Sequence, residues 1–307
     1  VPDDILVVAA MAATTGHTKS DMDIRLSDPE PHALELGPAR ASAWLHRAAD
    51  PEAPALLIVP ALGTPAGAYR RLAEALAAHG LNALRVELRG NGESPVRARR
   101  GIDWGYLDLV DDELRALYAL ARAELPDAPP VLLGHSLGGH LALLHQARHP
   151  DQPTIGVALV ASGSPWHRQF GALSPLLRAF GVLTRAMAER LGAFRGDWLG
   201  FGGAQGASLM REWAHFLATG RLPPLGAEGW DPHPALARLQ RPVFAISMRR
   251  DHYAPPAATE HLASLTAGPL ELRRLESVGG GRPPGHFLWL RHPEPVARLL
   301  AERFAAG

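Results

Sequence analysis

The sequence has no cysteine and a single lysine, Lys19. The missing thiols exclude disulfides, thiolate metal sites and a cysteine nucleophile. Charge of either sign is not in excess, because 31 basic residues stand against 31 acidic ones. No net field therefore draws the chain to nucleic acid or to an anionic membrane. The apolar run over 5–13 is too short to span a bilayer. Asp3 and Asp4 precede it, where a secretory signal carries positive charge. These absences lead us to expect a loosely ordered leader over 1–21, with Met11 and Met22 as alternative starts, and a cytoplasmic protein. Hydrophobic residues make up 47% of the 307, which is ample for a sizeable core.

From residue 56 onward, short apolar runs alternate with helical patterns. Strands are expected over 56–59, 83–87, 131–133, 155–161, 243–247 and 270–275. Helices are expected over 69–79, 106–124, 137–149, from 257, and over 293–304. Repeated β-then-α units imply a mostly parallel sheet with helices on both faces, and 22–27 and 41–46 could add antiparallel edge strands. The order breaks over 165–240. There Leu173, Leu176, Leu177, Phe180, Leu183, Met187 and Leu191 share one helical face, as do Leu209, Trp213, Phe216 and Leu217. This stretch reads as a helical cap inserted into a core made of 22–164 and 241–307.

At the end of the third apolar run stands VLLGHSLGG, in which Ser136 lies between Gly134 and Gly138. A strand before it and a helix after it make G-x-S-x-G a nucleophile elbow rather than a turn with an incidental serine. A serine hydroxyl needs a base, and the base an orienting carboxylate, which follow the serine in the order acid, histidine. Asp251 lies just past the run VFAIS, whereas Asp151, Asp197 and Asp231 follow no convincing strand. Of the histidines beyond it, His286 sits in the glycine-rich loop PPGHFLWL. His252 is too near the acid, His261 falls within a helix, and His292 adjoins a helix start. The expected triad is Ser136, Asp251 and His286. The backbone N–H groups of Leu137 and Leu62, the latter in PALGTPAG, would form the oxyanion hole.

These residues resemble the α/β-hydrolase superfamily over about 35–305, through PALG, RGNGES, GHSLGG, RRDHYAP and GHFLWL. WAHFL and GHFLWLR look like a bacterial group of predicted hydrolases. The resemblance has two departures. Glu87 stands where the family's D-x-R-G-x-G-x-S carries aspartate, and Pro60-Ala61-Leu62 replaces the His-Gly of the oxyanion loop.

His145 and His149 have a spacing that can hold zinc, but H-Q-A-R-H supplies neither the metalloprotease glutamate nor a third ligand. We expect no metal and no cofactor. The expected activity is hydrolysis of a carboxylic ester of a small apolar acyl group through an acyl-enzyme. A small-molecule ester is the partner, and Trp213 a candidate for lining its site. Lactonase, thioesterase, peptidase and acyltransferase chemistry fit the same residues, and a catalytically silent binding protein is the alternative from another class. Oligomeric state is left open.

Overall fold

The structure, a computed structural model, describes residues 29–36 and 39–305. The leader expected over 1–21 and the edge strand expected over 22–27 lie outside the described residues. Eight strands form one sheet: β1 (His32–Leu36), β2 (Ala39–His46), β3 (Ala55–Val59), β4 (Asn82–Val86), β5 (Pro130–His135), β6 (Gly156–Val160), β9 (Val243–Met248) and β10 (Leu270–Leu275). Their spatial order is β1-β2-β4-β3-β5-β6-β9-β10. Strands β1 and β2 run antiparallel at one edge, and the other six are parallel. The edge strand expected over 41–46 falls within β2.

Strand β3 shows why the sheet is covered on both sides. Leu57 and Val59 point to one face, where they meet Leu114 and Leu117 of α2 (residues 106–124) and Leu141 and Leu144 of α3 (Leu137–Arg148). Leu56 and Ile58 point to the other, against Leu72 and Leu76 of α1 (Arg70–Ala78) and Leu300 of α7 (Glu294–Phe304). A two-residue alternation in which both phases are apolar can be satisfied only by helices on both faces. Within α2 the backbone winds as a π-helix over Leu109–Leu114, which the periodicity did not foretell. Helix α6 (Pro256–Ala263) follows β9.

Between β6 and β9 the chain leaves the sheet. This insert holds α4 (Ser174–Leu191) and α5 (Ala207–Thr219), which pack on each other, and a short hairpin of β7 (Ala193–Arg195) and β8 (Ala204–Gly206). The hairpin was not expected; its glycine-rich turn hides the two three-residue strands. No helix among the described residues is long and apolar enough to cross a membrane.

Candidate active site

The turn at the end of β5 is where the backbone is most constrained. Ser136 has φ 53° and ψ −118°, and only Ala161 shares a positive φ among the described non-glycine residues. Such a conformation costs a side-chain-bearing residue of order 1–3 kcal/mol and persists only where its surroundings enforce it. Here they do. A Cβ on Gly138 would lie 2.1 Å from the Val59 carbonyl oxygen, and one on Gly134 would lie 2.3 Å from the Gly138 backbone. The two glycines let α3 start directly against the ends of β3 and β5. The Ser162 hydroxyl donates to the Ser136 carbonyl at 2.6 Å. Ser136 is the one residue from 130 to 146 that is not buried.

Asp251 and His286 come together as the sequence suggested. His286 Nδ1 lies 2.8 Å from Asp251 Oδ2 and 3.0 Å from Oδ1, and both residues are buried. Asp251 Oδ1 also accepts the N–H groups of Tyr253 (2.8 Å) and Ala254 (2.9 Å), so the carboxylate is held before it holds the imidazole. No hydrogen bond joins Ser136 Oγ to the His286 ring among the described residues. Catalytic hydrogen bonds of this kind often tighten only with substrate bound. Three of the rejected candidates are engaged elsewhere. Asp197 pairs with Arg195, Asp231 accepts the His233 N–H, and His261 Nδ1 meets Ser164 Oγ at 2.8 Å.

His135, the residue before the serine, ties the site together. Its Nε2–H donates to the His286 carbonyl at 3.0 Å, and its Nδ1 accepts the Tyr69 hydroxyl at 2.7 Å. The same phenol oxygen accepts the Ala61 N–H at 2.8 Å. Burial holds the His135 imidazole well below its ordinary pKa and pushes the Tyr69 phenol far above its own, so both stay neutral and the donor–acceptor order is fixed. One buried chain thus fastens the loop after β3, the elbow and the histidine loop. Sequence reasoning missed it, because its members are 66 and 151 residues apart.

Leu62 follows Ala61, and Leu137 opens α3. Among the described residues, neither backbone N–H has a partner. The Leu62 side chain is partly buried against a cluster of Ala188, Phe194, Ala207 and Met210 in the insert, on which Phe201 and Trp213 also pack. The insert reaches this loop through backbone: a Cβ on Gly63 would lie 2.4 Å from the Gly202 carbonyl carbon and oxygen. Glu87 accepts the N–H groups of Ala66 (3.1 Å) and Glu93 (3.4 Å), joining this loop to the RGNGES turn. Burial pushes the Glu87 carboxyl up to about 7 despite those bonds. Its departure from the usual aspartate therefore concerns loop packing.

Trp213 makes no ring contact with His286 among the described residues and is joined to it through other rings. Tyr253 lies 5.1 Å from the His286 ring, Phe201 stacks on Tyr253 at 6.4 Å, and Trp213 meets Phe201 at 5.9 Å. Phe180 closes the group, 5.3 Å from Phe201. Phe287, 4.7 Å away, and Tyr253 are the aromatic residues in ring contact with His286, and Phe201 joins them through Tyr253. Tyr253 could have been found from its place two residues after the acid; Phe201, among glycines, gave no signal.

Comparison with known proteins agrees with this architecture. The family described as serine aminopeptidase, S33, matches residues 50–216, more than half of the chain. A protein of Pseudomonas savastanoi pv. phaseolicola named as a carbamate hydrolase, RutD, is 28% identical over 271 residues, covering 84% of this chain and 96% of that one. The monoacylglycerol lipase of Mycolicibacterium smegmatis is 31% identical over 114 residues, 37% of this chain and 38% of its own. Among solved structures, Est1E from Butyrivibrio proteoclasticus with ferulic acid bound superposes with a TM-score of 0.63 at 14% identity. The match covers 90% of this chain and all of that one.

Proposed function

Since the chain belongs to the serine aminopeptidase S33 family of α/β hydrolases, we propose that it is a serine hydrolase acting on carboxylic esters with a small apolar acyl group. The observation that carries this reading is the buried Asp251–His286 pair, whose loop is bonded to the residue immediately before Ser136. In this reading the Ser136 hydroxyl attacks the ester carbonyl carbon while His286 Nε2 takes its proton. Asp251 keeps Nδ1–H as the bonded tautomer and offsets the imidazolium charge. The negative carbonyl oxygen of the tetrahedral adduct is received by the N–H groups of Leu137 and Leu62. Collapse expels the alcohol, protonated by His286. Water, activated by the same imidazole, then releases the acid from Ser136.

The insert acts as a cap in this scheme. Its Phe180, Phe201 and Trp213, with Tyr253 of the core, offer an apolar wall beside the imidazole. Such a wall suits an acyl or aryl group and excludes water from the charged adduct.

A fluorophosphonate probe tests the proposal, because it traps an activated serine. It should label the wild-type chain at Ser136 and leave Ser136→Ala unlabelled, and that variant should lose about 10⁴-fold or more of its ester turnover. An unlabelled wild type would favour the catalytically silent binding protein.

A further inference from the structure

Helix α4 wears its apolar residues on the wrong side. Nine large hydrophobic side chains are exposed among the described residues, and seven of them lie between Leu173 and Leu199. At ~100° per residue, Pro175, Leu176, Ala179, Val182 and Leu183 share an arc of ~120° that points away from the core. Leu176 is 67% exposed and Val182 71%, while Gly181, Thr184 and Ala188 face inward. A helix with only water over that arc would ordinarily carry charges there.

The patch continues beyond the helix. Phe180 and Met187 hold the β7–β8 turn against α4, through the Phe180–Phe201 contact and an Arg195 N–H bond to Met187 Sδ at 3.3 Å. That turn presents Trp198, 62% exposed, with the Arg195 guanidinium 4.4 Å above its ring, and Leu199 beside it. Phe201 of the same turn stacks on Tyr253 next to His286. The patch therefore borders the proposed site.

Charge selects the occupant. The chain as a whole is neutral, but from His167 to Arg221 seven arginines stand against three acids. Arg178 flanks the apolar arc along one side, and Arg190 closes it at the C-terminal end of the helix. Neither forms an ion pair among the described residues, whereas Arg185 is paired with Glu189. An apolar helix face edged by unpaired arginines, with tryptophan at its rim, has the chemistry of a helix lying in the headgroup layer. A second copy of the chain fits poorly, because a two-fold pairing would set this basic region against itself.

We propose that the outer face of α4 and the adjoining β7–β8 turn dock the protein on an anionic lipid bilayer. The side that meets the membrane is then the side from which an apolar ester would reach Ser136. The docking itself does not depend on the proposed activity.

Sedimentation of the full chain with phosphatidylglycerol-containing vesicles, and with pure phosphatidylcholine vesicles, tests this. Binding should require the anionic lipid and weaken as salt is raised. Trp198 emission, isolated by difference from Trp198→Phe, should shift to the blue. The double variant Leu176→Ser, Leu183→Ser should bind about tenfold more weakly. Arg178→Gln and Arg190→Gln should each weaken binding about fivefold. All of these variants should keep the wild-type circular dichroism spectrum. Three results would overturn the proposal: no binding to anionic vesicles, equal binding by the leucine double variant, or a wild-type dimer in light scattering that the double variant dissolves.

Discussion

Replacing Tyr69 by Phe removes a single oxygen from the interior and should be felt at two distant loops. The phenol oxygen accepts the Ala61 N–H at 2.8 Å and its proton goes to His135 Nδ1 at 2.7 Å, in a site with no solvent access. The substitution leaves a buried donor and a buried acceptor without partners, each costing roughly 1–3 kcal/mol. A loss of about 2–4 kcal/mol is expected, which for a chain of this size lowers Tm by roughly 3–6 °C. The functional consequence is separate. Ala61 precedes Leu62, and a freed Ala61 N–H lets the loop drift. Because an oxyanion donor acts mainly in the transition state, kcat should fall about tenfold while KM changes little. Urea unfolding and hydrolysis of a p-nitrophenyl ester, both at 25 °C where the variant remains folded, read the two effects. A variant with wild-type midpoint and wild-type kcat would refute the account. One that is destabilised but fully active would reduce the Tyr69–His135 chain to scaffolding.

Three other substitutions bear on the site. Asp251→Asn should leave the fold intact and lower kcat by several orders of magnitude, since the amide cannot hold the required tautomer or offset the imidazolium; Asp231→Asn should be nearly silent in the same assay. Phe201→Ala should move the preferred acyl length of a p-nitrophenyl ester series without abolishing turnover, and should do so more than Trp213→Ala, because Phe201 stacks on Tyr253, the ring beside His286, whereas Trp213 contacts Phe201. An unchanged length profile in both variants would make the aromatic wall packing alone. Glu87→Gln addresses pH. The folded carboxyl titrates at about 7 against an ordinary 4.5, so the native state binds the proton more tightly than the unfolded chain, and stability is lost as pH rises through that window. Relative to Glu87→Gln, the wild type should lose up to about 3 kcal/mol between pH 4.5 and 8, read from urea midpoints. A difference that does not vary with pH would contradict the assignment.

The parts of this protein that could be read from its residues are those fixed locally. Strands β3, β5 and β6 are buried on both faces and so appear as unbroken apolar runs. Ser136 announces itself because its turn demands glycines on both sides, and Asp251 and His286 because each follows a strand. The same pattern logic says less about α4. An apolar stripe at helical spacing says that one face avoids water, not which neighbour covers it, and here much of that stripe is outside. The β7–β8 hairpin escaped because strands of three residues leave no period to detect. Tyr69 and His135 looked like an ordinary helix residue and a spacer within the elbow. Their importance lies in bonds across 66 and 151 positions that no local window contains.

The meeting of Gly63 and Gly202 has a consequence for anyone who would rebuild this enzyme. Backbone lies on backbone there, with a positive φ on both sides, so no side chain at either position can be varied to retune the junction. The insert is thus not an interchangeable module that can be cut at 165 and 240 and swapped for one from a relative. A chimera would need to bring its own partner for the loop at 61–64, or else keep the native turn from Gly200 to Gly203 within the graft. Directed evolution of substrate range faces the same boundary: diversity can enter at Phe180, Phe201 and Trp213, while the glycines of the turn fix the path that carries Phe201 to Tyr253.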